Sequence, residues 1–191
     1  MNARRLTRIA VMAALTFIGG LIRIPVGPVP ITLQTLVVTL SALLLSPMDA
    51  LLSQALHLVL RFFTDGAGVV LTPSFGFLLG YLLAAFVGSY VLRGHLGGHE
   101  LPLVRDAAGK LSSPRMIPAV IAAALCPYVL GLPYMAYILN SVNGAGLDLT
   151  GILKAGILPF IPGDTIKAVL AYGIAKLALP RIEPVDDVMK K

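Results

Sequence analysis

The chain has 191 residues, 57% of them hydrophobic and only 13% charged, with a net charge of +6 and a mean hydropathy of +0.89. A soluble domain of this length needs a charged surface that this composition does not supply. The basic residues sit in loops and termini with no interleaved aromatics, which argues against a nucleic-acid partner and for a membrane protein whose cations mark one face.

The N-terminal segment Arg4-Arg5-Leu6-Thr7-Arg8 precedes an apolar stretch, as a secretory signal would. The small-x-small cleavage site is missing and Arg23 closes the stretch, so we read an uncleaved first span over residues 6–24. Ala10 and Ala14 give it an A-x-x-x-A ridge, which suits a closely packed partner helix. Pro25, Pro28 and Pro30 then force a non-helical loop, because proline removes a donor and biases its predecessor to extended geometry. A second span is expected over residues 33–45. Ser46-Pro47 ends it, and Pro47 suits the first turn of a third span over 47–63. That span is the most polar, with Gln54, His57 and Arg61.

A fourth span is expected over 74–92, with Gly76, Gly80, Ala84 and Gly88 at intervals of four, a ridge for internal packing. A charged, glycine-rich loop follows over 93–113. The fifth span covers 115–139, with a distortion expected at Pro127 or Pro133. After a loop at 140–150 comes a half-length apolar stretch at 151–158, and the sixth span covers 164–179. No charged residue occurs from Ile24 to Met48, from Gly66 to Leu92, or from Met116 to Leu147. A span needs about 20 apolar residues, so these runs are long enough. The expected fold is a single membrane domain over 1–191, an all-α bundle of six transmembrane helices.

Orientation follows from counting cations. With the N-terminus inside, Arg4, Arg5, Arg8, Arg93, Arg105, Lys110, Arg115, Lys176, Arg181, Lys190 and Lys191 are cytoplasmic, and Arg61 and Lys154 are external. Eleven against two places both termini in the cytoplasm of the cell that carries this membrane.

Three polar breaks then share the outer face: Val29 to Thr35, Thr72 to Phe77, and Ile161 to Lys167. Each opens an even-numbered span. The third puts Asp164 and Lys167 in apolar surroundings, where ionisable groups are costly and mark a functional site. Asp164 suits the N-cap of the sixth helix, and Lys167 lies on the same face three residues on. Capping by Asp164 and snorkelling by Lys167 is the plainer reading. A cation in a helix's first turn is disfavoured by the dipole, which favours a ligand role for Lys167. Thr32, Gln34 and Thr35 offer amide and hydroxyl groups suited to a polar, neutral solute, or to capping the second helix. Ser74, Phe75, Gly76 and Phe77 combine a hydroxyl, flat rings and close backbone approach, although aromatics at a span's start also form an ordinary interfacial belt. Tyr81 and Tyr134 face either the pocket or lipid.

Other chemistries fit poorly. His95 and His99 have i, i+4 spacing but lie in a glycine-rich loop without cysteines, a weak metal site. No G-x-x-x-x-G-K-[ST] occurs, so this chain has no P-loop for ATP. Pro162-Gly163-Asp164 has part of the look of an intramembrane aspartyl protease, but no second aspartate is available to share a proton. There is no Ser/His nucleophile arrangement, and the single Cys126 cannot form an intrachain disulfide.

Three segments carry a resemblance: Pro28-Val29-Pro30-Ile31-Thr32-Leu33-Gln34-Thr35, Pro73-Ser74-Phe75-Gly76-Phe77-Leu78-Leu79-Gly80, and Leu158-Pro159-Phe160-Ile161-Pro162-Gly163-Asp164-x-x-Lys167. In order and spacing they resemble the BioY family, the biotin-specific substrate-binding (S) component of energy-coupling factor (ECF) transporters. Phe77, where the family often has tyrosine, and the polar third span depart from the pattern. The resemblance implies an ECF S-component-like bundle in the cytoplasmic membrane of a bacterium or archaeon. It implies high-affinity capture of biotin from outside, no enzymatic activity and no cofactor. It implies a transmembrane coupling protein, with Ala10 and Ala14 at the contact, and two ATPase subunits as partners. Biotin-binding roles are implied for Asp164, Lys167, Thr32, Gln34, Thr35, Ser74, Phe75, Gly76, Phe77 and Tyr81, with Lys167 at either end of the ligand. Other classes remain open at this point. They are an S component for another small vitamin, a proton-coupled transporter using Asp164 and Lys167 as a relay, and a non-transporting membrane assembly protein.

Overall fold

The computed structural model describes residues 3–96, 99–100 and 114–182. Helix α1 (Ala3–Leu21) stops where Arg23–Ile24 (β1) pairs antiparallel with Ile31–Thr32 (β2). The intervening turn passes through Gly27, whose φ of 140° suits only glycine. Helix α2 (Gln34–Leu44) and helix α3 (Pro47–Asp65) follow. Ser46 caps α3 by accepting from the Asp49 amide at 3.4 Å, with Pro47 in the first turn where its missing N–H costs nothing. A 3₁₀ turn (Ala67–Leu71) leads into α4 (Phe75–Arg93). A second two-residue ribbon joins β3 (His95–Leu96) and β4 (His99–Glu100). Helix α5 (Met116–Tyr137) runs into a π-helical turn (Ile138–Val142), and α6 (Leu149–Gly156) and α7 (Ile161–Ile182) complete the chain.

Helix α4 is the axis of the bundle and packs on α2, α3 and α5, while α1 covers α2 and α3, and α7 lies on α2 and α5. The small residues expected to pack internally do so. A Cβ on Gly80 would fall 2.6 Å from the Pro127 carbonyl oxygen, and one on Gly88 would fall 2.9 Å from the Cβ atoms of Ala123 and Ala42. Backbone approach this close requires glycine. The outer surfaces are apolar: Ile117, Ile121, Leu125 and Val129 on α5, and Ile166, Val169, Leu170 and Leu177 on α7, are exposed. Water would not tolerate a surface so continuously apolar, and lipid does. The inside is partly polar. Thr16, Ser41, Ser53 and Gln54 are buried between α1, α2 and α3, and the Gln54 amide donates to the hydroxyls of Ser41 and Ser53 at 3.2 Å and of Thr16 at 3.4 Å.

The architecture departs from expectation in four places. The described residues form seven α-helices rather than six, because the half-length stretch at 151–158 contributes α6. By length and composition, α4 and the run Met116–Val142 are apolar enough to cross a membrane, and α6 with α7, bent by 44°, makes a third if counted as one span. Helix α2 is apolar but shorter, and the charges of α1 and α3 lower their hydropathy. The first helix ends at Leu21, not 24, because Arg23 and Ile24 are drawn into the ribbon with β2, which moves Arg23 out of the helix. Helix α7 starts at Ile161, so Asp164 is not its N-cap. The Asp164 amide donates to the Phe160 carbonyl at 2.8 Å inside the first turn, which frees the carboxylate for other partners. Pro127 and Pro133 lie within a continuous α5. The side chains of His95, His99 and Arg181, and the residues Arg105, Lys110, Lys190 and Lys191 of the cation count, lie outside what the structure describes. Among the described residues no three His, Cys, Asp or Glu side chains group to hold a metal.

Candidate functional site

The three polar breaks meet at one end of the bundle. The β1–β2 ribbon lays Val29, Pro30 and Thr32 across that end, and the starts of α2, α4 and α7 bring Thr35, Phe77 and Asp164 beneath it. Two cavities result, and they share Val29, Pro30, Thr32, Phe77 and Tyr81 as walls. The wider one, of about 390 Å³, reaches Arg23, Gln34, Arg61, Asp65 and Ser74. That volume falls in the range of small-ligand pockets, roughly 300–1,000 Å³. The narrow one, of about 30 Å³, ends at Tyr128, Phe160, Asp164 and Lys167.

The closed end is a dense polar cluster. Lys167 Nζ donates to Asp164 Oδ1 at 3.0 Å and to Thr35 Oγ1 at 3.1 Å. Thr35 Oγ1 in turn donates to Asp164 Oδ1 at 3.0 Å, and Tyr128 donates to Oδ2 at 2.5 Å. The ammonium and carboxylate side chains are 8% and 14% exposed, so each charge depends on the other for compensation. Helix geometry makes the pair, because residues three apart lie one above the other. Apolar flanks enclose it. The Phe77 ring meets Tyr128 edge-on at 5.8 Å and stacks with Phe160 at 6.4 Å.

On the ribbon side, Thr32 Oγ1 accepts from the Gln34 backbone N–H at 3.3 Å and donates to Gln34 Oε1 at 3.1 Å. The Gln34 side-chain amide donates to His57 Nε2 at 3.0 Å, which ties the start of α2 to α3. Ser74 lies at the wide cavity's rim, 3.2 Å from the Thr72 hydroxyl.

The structure therefore brings together Thr32, Gln34, Thr35, Ser74, Phe77, Tyr81, Asp164 and Lys167. It does not bring Phe75 and Gly76 to the cavity walls. Phe75 packs against Phe62 and Tyr134, and a Cβ on Gly76 would strike the Tyr134 side chain and the Leu130 carbonyl. Tyr134 itself is an internal tie, donating to the Val70 carbonyl at 2.6 Å. Ala10 and Ala14 are exposed on α1, while Ile9, Ala13 and Thr16 turn inward. Tyr128, Phe160 and Arg61 are site-lining residues that sequence reasoning did not select. Two of them held a signal, Arg61 in the polar stripe of α3 and Phe160 inside the motif that ends at Lys167, and Tyr128 held none.

A larger cavity lies elsewhere. A lateral groove of about 710 Å³ between α5 and α7 is lined by Ile117, Ile121, Leu125, Val169 and Tyr172, and touches Asp164 and Tyr128 only at one end. Its walls are mostly apolar, and its members Tyr128 and Asp164 are already engaged with each other. The smaller pair of cavities holds the chemistry.

Comparison with known proteins gives one consistent answer. A model of the BioY family matches residues 1–184. The probable biotin transporter BioY of Lysinibacillus sphaericus is 34% identical over 178 residues, covering 90% of this chain and 84% of that protein. The biotin transporter BioY of Thermotoga maritima is 30% identical over 188 residues, covering 94% and 98%. A crystal structure of the S-component for biotin from an ECF-type ABC transporter superposes with a TM-score of 0.72 at 27% identity, covering 94% of each chain.

Proposed function

The chain belongs to the BioY family, and we propose from that premise how it captures biotin. It serves biotin uptake as the S component of an ECF-type transporter. The observation that carries the mechanism is the cluster of Asp164, Lys167, Thr35 and Tyr128 at the closed end of a cavity roofed by the β1–β2 ribbon. Biotin has a neutral ureido ring with two N–H donors and one strong acceptor, an apolar thioether ring, and a carboxylated chain. Asp164 accepts a ureido N–H, and Lys167 donates to the ureido oxygen. Phe77, Tyr81 and Phe160 pack on the fused rings. Thr32 and Gln34 sit on the loop that closes over them, and Ser74 borders the chain.

The finer reading extends to topology and partners. The helices make six spans, with α6 and α7 as one broken span and both termini in the cytoplasm, so that the site opens outward across the cytoplasmic membrane. Irregular backbone at membrane depth is tolerated where its polar groups find partners, as at 157–160 between α6 and α7, where the Ile157 and Leu158 amides donate to the Leu153 carbonyl and the Phe160 amide to the Ile157 carbonyl. A transmembrane coupling protein docks on the exposed face of α1 through Ala10 and Ala14, and two ATPase subunits supply the energy. Support comes from the exposure of that alanine face and from the ECF-type structural neighbour. Calorimetry on the purified chain in detergent tests the central claim: one biotin should bind per chain without ATP or partners. Folded protein that gives no heat with biotin would sink it.

A further inference from the structure

We infer that Arg61 binds the carboxylate of biotin, so that the ligand lies with its ureido ring at Lys167 and its acidic chain toward α3. The inference rests on biotin being the ligand and assigns its direction in the site.

Charge decides the direction. At the closed end Asp164 and Lys167 cancel, and a carboxylate placed there would face the Asp164 carboxylate. At the wide end the lining charges are Arg23, Arg61 and Asp65, two cations against one anion, or a net +1. A ligand with one neutral and one anionic end therefore seats the anion in the wide cavity. The two cavities adjoin, sharing Val29, Pro30, Thr32, Phe77 and Tyr81 as walls, so a single elongated molecule that displaces those side chains spans both.

Arg61 is the better equipped of the two cations. It stands one helical turn beyond His57 on α3, its side chain is only 14% exposed, and one guanidinium nitrogen pairs with Asp65. Its Nε is buried and has no hydrogen-bond partner among the described residues. A buried donor without an acceptor is costly, and a guanidinium with spare donors matches a carboxylate in a two-point contact. Arg23 lines the same cavity from β1 but is exposed, where water screens the attraction.

The test compares biotin with biotinol, in which the carboxylate is replaced by a hydroxymethyl group. Both are titrated by calorimetry into the purified wild type and into Arg61→Gln, Arg23→Gln and Lys167→Ala. The wild type should prefer biotin by about ten- to a hundredfold, the worth of a charge-assisted hydrogen bond. Arg61→Gln should bring that ratio close to one by weakening biotin alone. Unchanged biotinol affinity also shows that the variant is folded. Lys167→Ala should weaken both ligands alike, and Arg23→Gln should leave the ratio within about threefold of wild type. The assignment is overturned if Arg61→Gln weakens both ligands equally or keeps the preference. It is also overturned if Lys167→Ala or Arg23→Gln is the variant that erases the preference. A wild type that binds both ligands equally removes the carboxylate anchor alone, whereas one that binds neither removes the biotin reading together with it.

Discussion

Asp164 and Lys167 allow a prediction with an asymmetry built in. Lys167→Ala leaves the Asp164 carboxylate with two hydroxyl donors, Thr35 and Tyr128, while Asp164→Asn leaves the ammonium facing the Thr35 oxygen and a neutral amide. Breaking a buried pair costs about 3–5 kcal/mol, so Lys167→Ala belongs at the lower end and Asp164→Asn at the upper. Each variant also loses one charge-assisted bond to the ligand, worth about 1.5–3 kcal/mol, and misaligns the group beside it. A combined loss of about 2.7 kcal/mol or more is a fall in biotin affinity of at least about 100-fold. Calorimetry in detergent reads the affinity, and thermal unfolding without ligand reads the stability. Because the two groups share partners, the double variant should lose less than the sum of the singles. Wild-type affinity in both single variants would reduce the pair to a helix-start carboxylate and a snorkelling lysine. Strict additivity would deny the coupling.

Four further outcomes are expected. Gly80→Leu should lower the unfolding temperature by the equivalent of about 1–3 kcal/mol, because the new side chain meets the Pro127 backbone rather than a movable side chain; an unchanged melting curve would contradict the α4–α5 contact. Gln54→Met should be neutral or stabilising by up to about 1 kcal/mol, since it removes a buried carbonyl oxygen that has no partner among the described residues while the Ser41, Ser53 and Thr16 hydroxyls keep their backbone acceptors; a clear loss of stability would show the amide is needed. Ala10→Trp or Ala14→Trp should spare biotin binding by the isolated chain and abolish co-purification with the coupling protein, whereas loss of both would place that ridge inside the fold. Single cysteines at Thr32 and Ser74 in a Cys126→Ala background should react with an impermeant thiol reagent on intact cells, more slowly with saturating biotin, and Lys110→Cys only after permeabilisation; labelling of the Lys110→Cys variant in sealed cells would invert the topology.

What the sequence disclosed and what it hid have physical causes. Proline leaves a local mark, so the breaks at Pro25 to Pro30, Ser46-Pro47 and Pro73 were legible, and the helices begin within a few residues of where composition places them. The pairing of Asp164 with Lys167 was legible because it depends on helical spacing alone. Tyr128 was not, because it reaches Asp164 from another helix, and nothing local distinguishes it from Tyr134, which is spent on the Val70 carbonyl. Phe75 and Phe77 are two residues apart in one motif, yet helix rotation sends one to Phe62 and Tyr134 and the other to the cavity. The end of α1 was misplaced because Ile22 and Ile24 continue its apolar run, while the ribbon that captures Arg23 and Ile24 depends on a partner strand across the proline turn.

If biotin binds as proposed, selectivity at the closed end follows from how completely its groups are used. Asp164 accepts from Lys167, Thr35 and Tyr128, and Lys167 has the acceptors Asp164 and Thr35, so a ligand entering there exchanges bonds rather than adding them. A molecule that only donates can satisfy Asp164 but separates it from Lys167 without offering the ammonium an acceptor. A molecule that only accepts does the reverse. Either leaves one charge stranded in a site shielded by Phe77 and Phe160, at about 3–5 kcal/mol, which is a penalty of more than a hundredfold in affinity. A group with a donor and an acceptor side by side on one edge repays both partners at once. The ureido ring of biotin has that edge, N–H beside C=O, and carries no charge of its own. On this reading the ion pair selects a neutral ligand by what it refuses to leave unpaired, while the net positive charge at the far end of the cavity fixes which way the acidic chain must point.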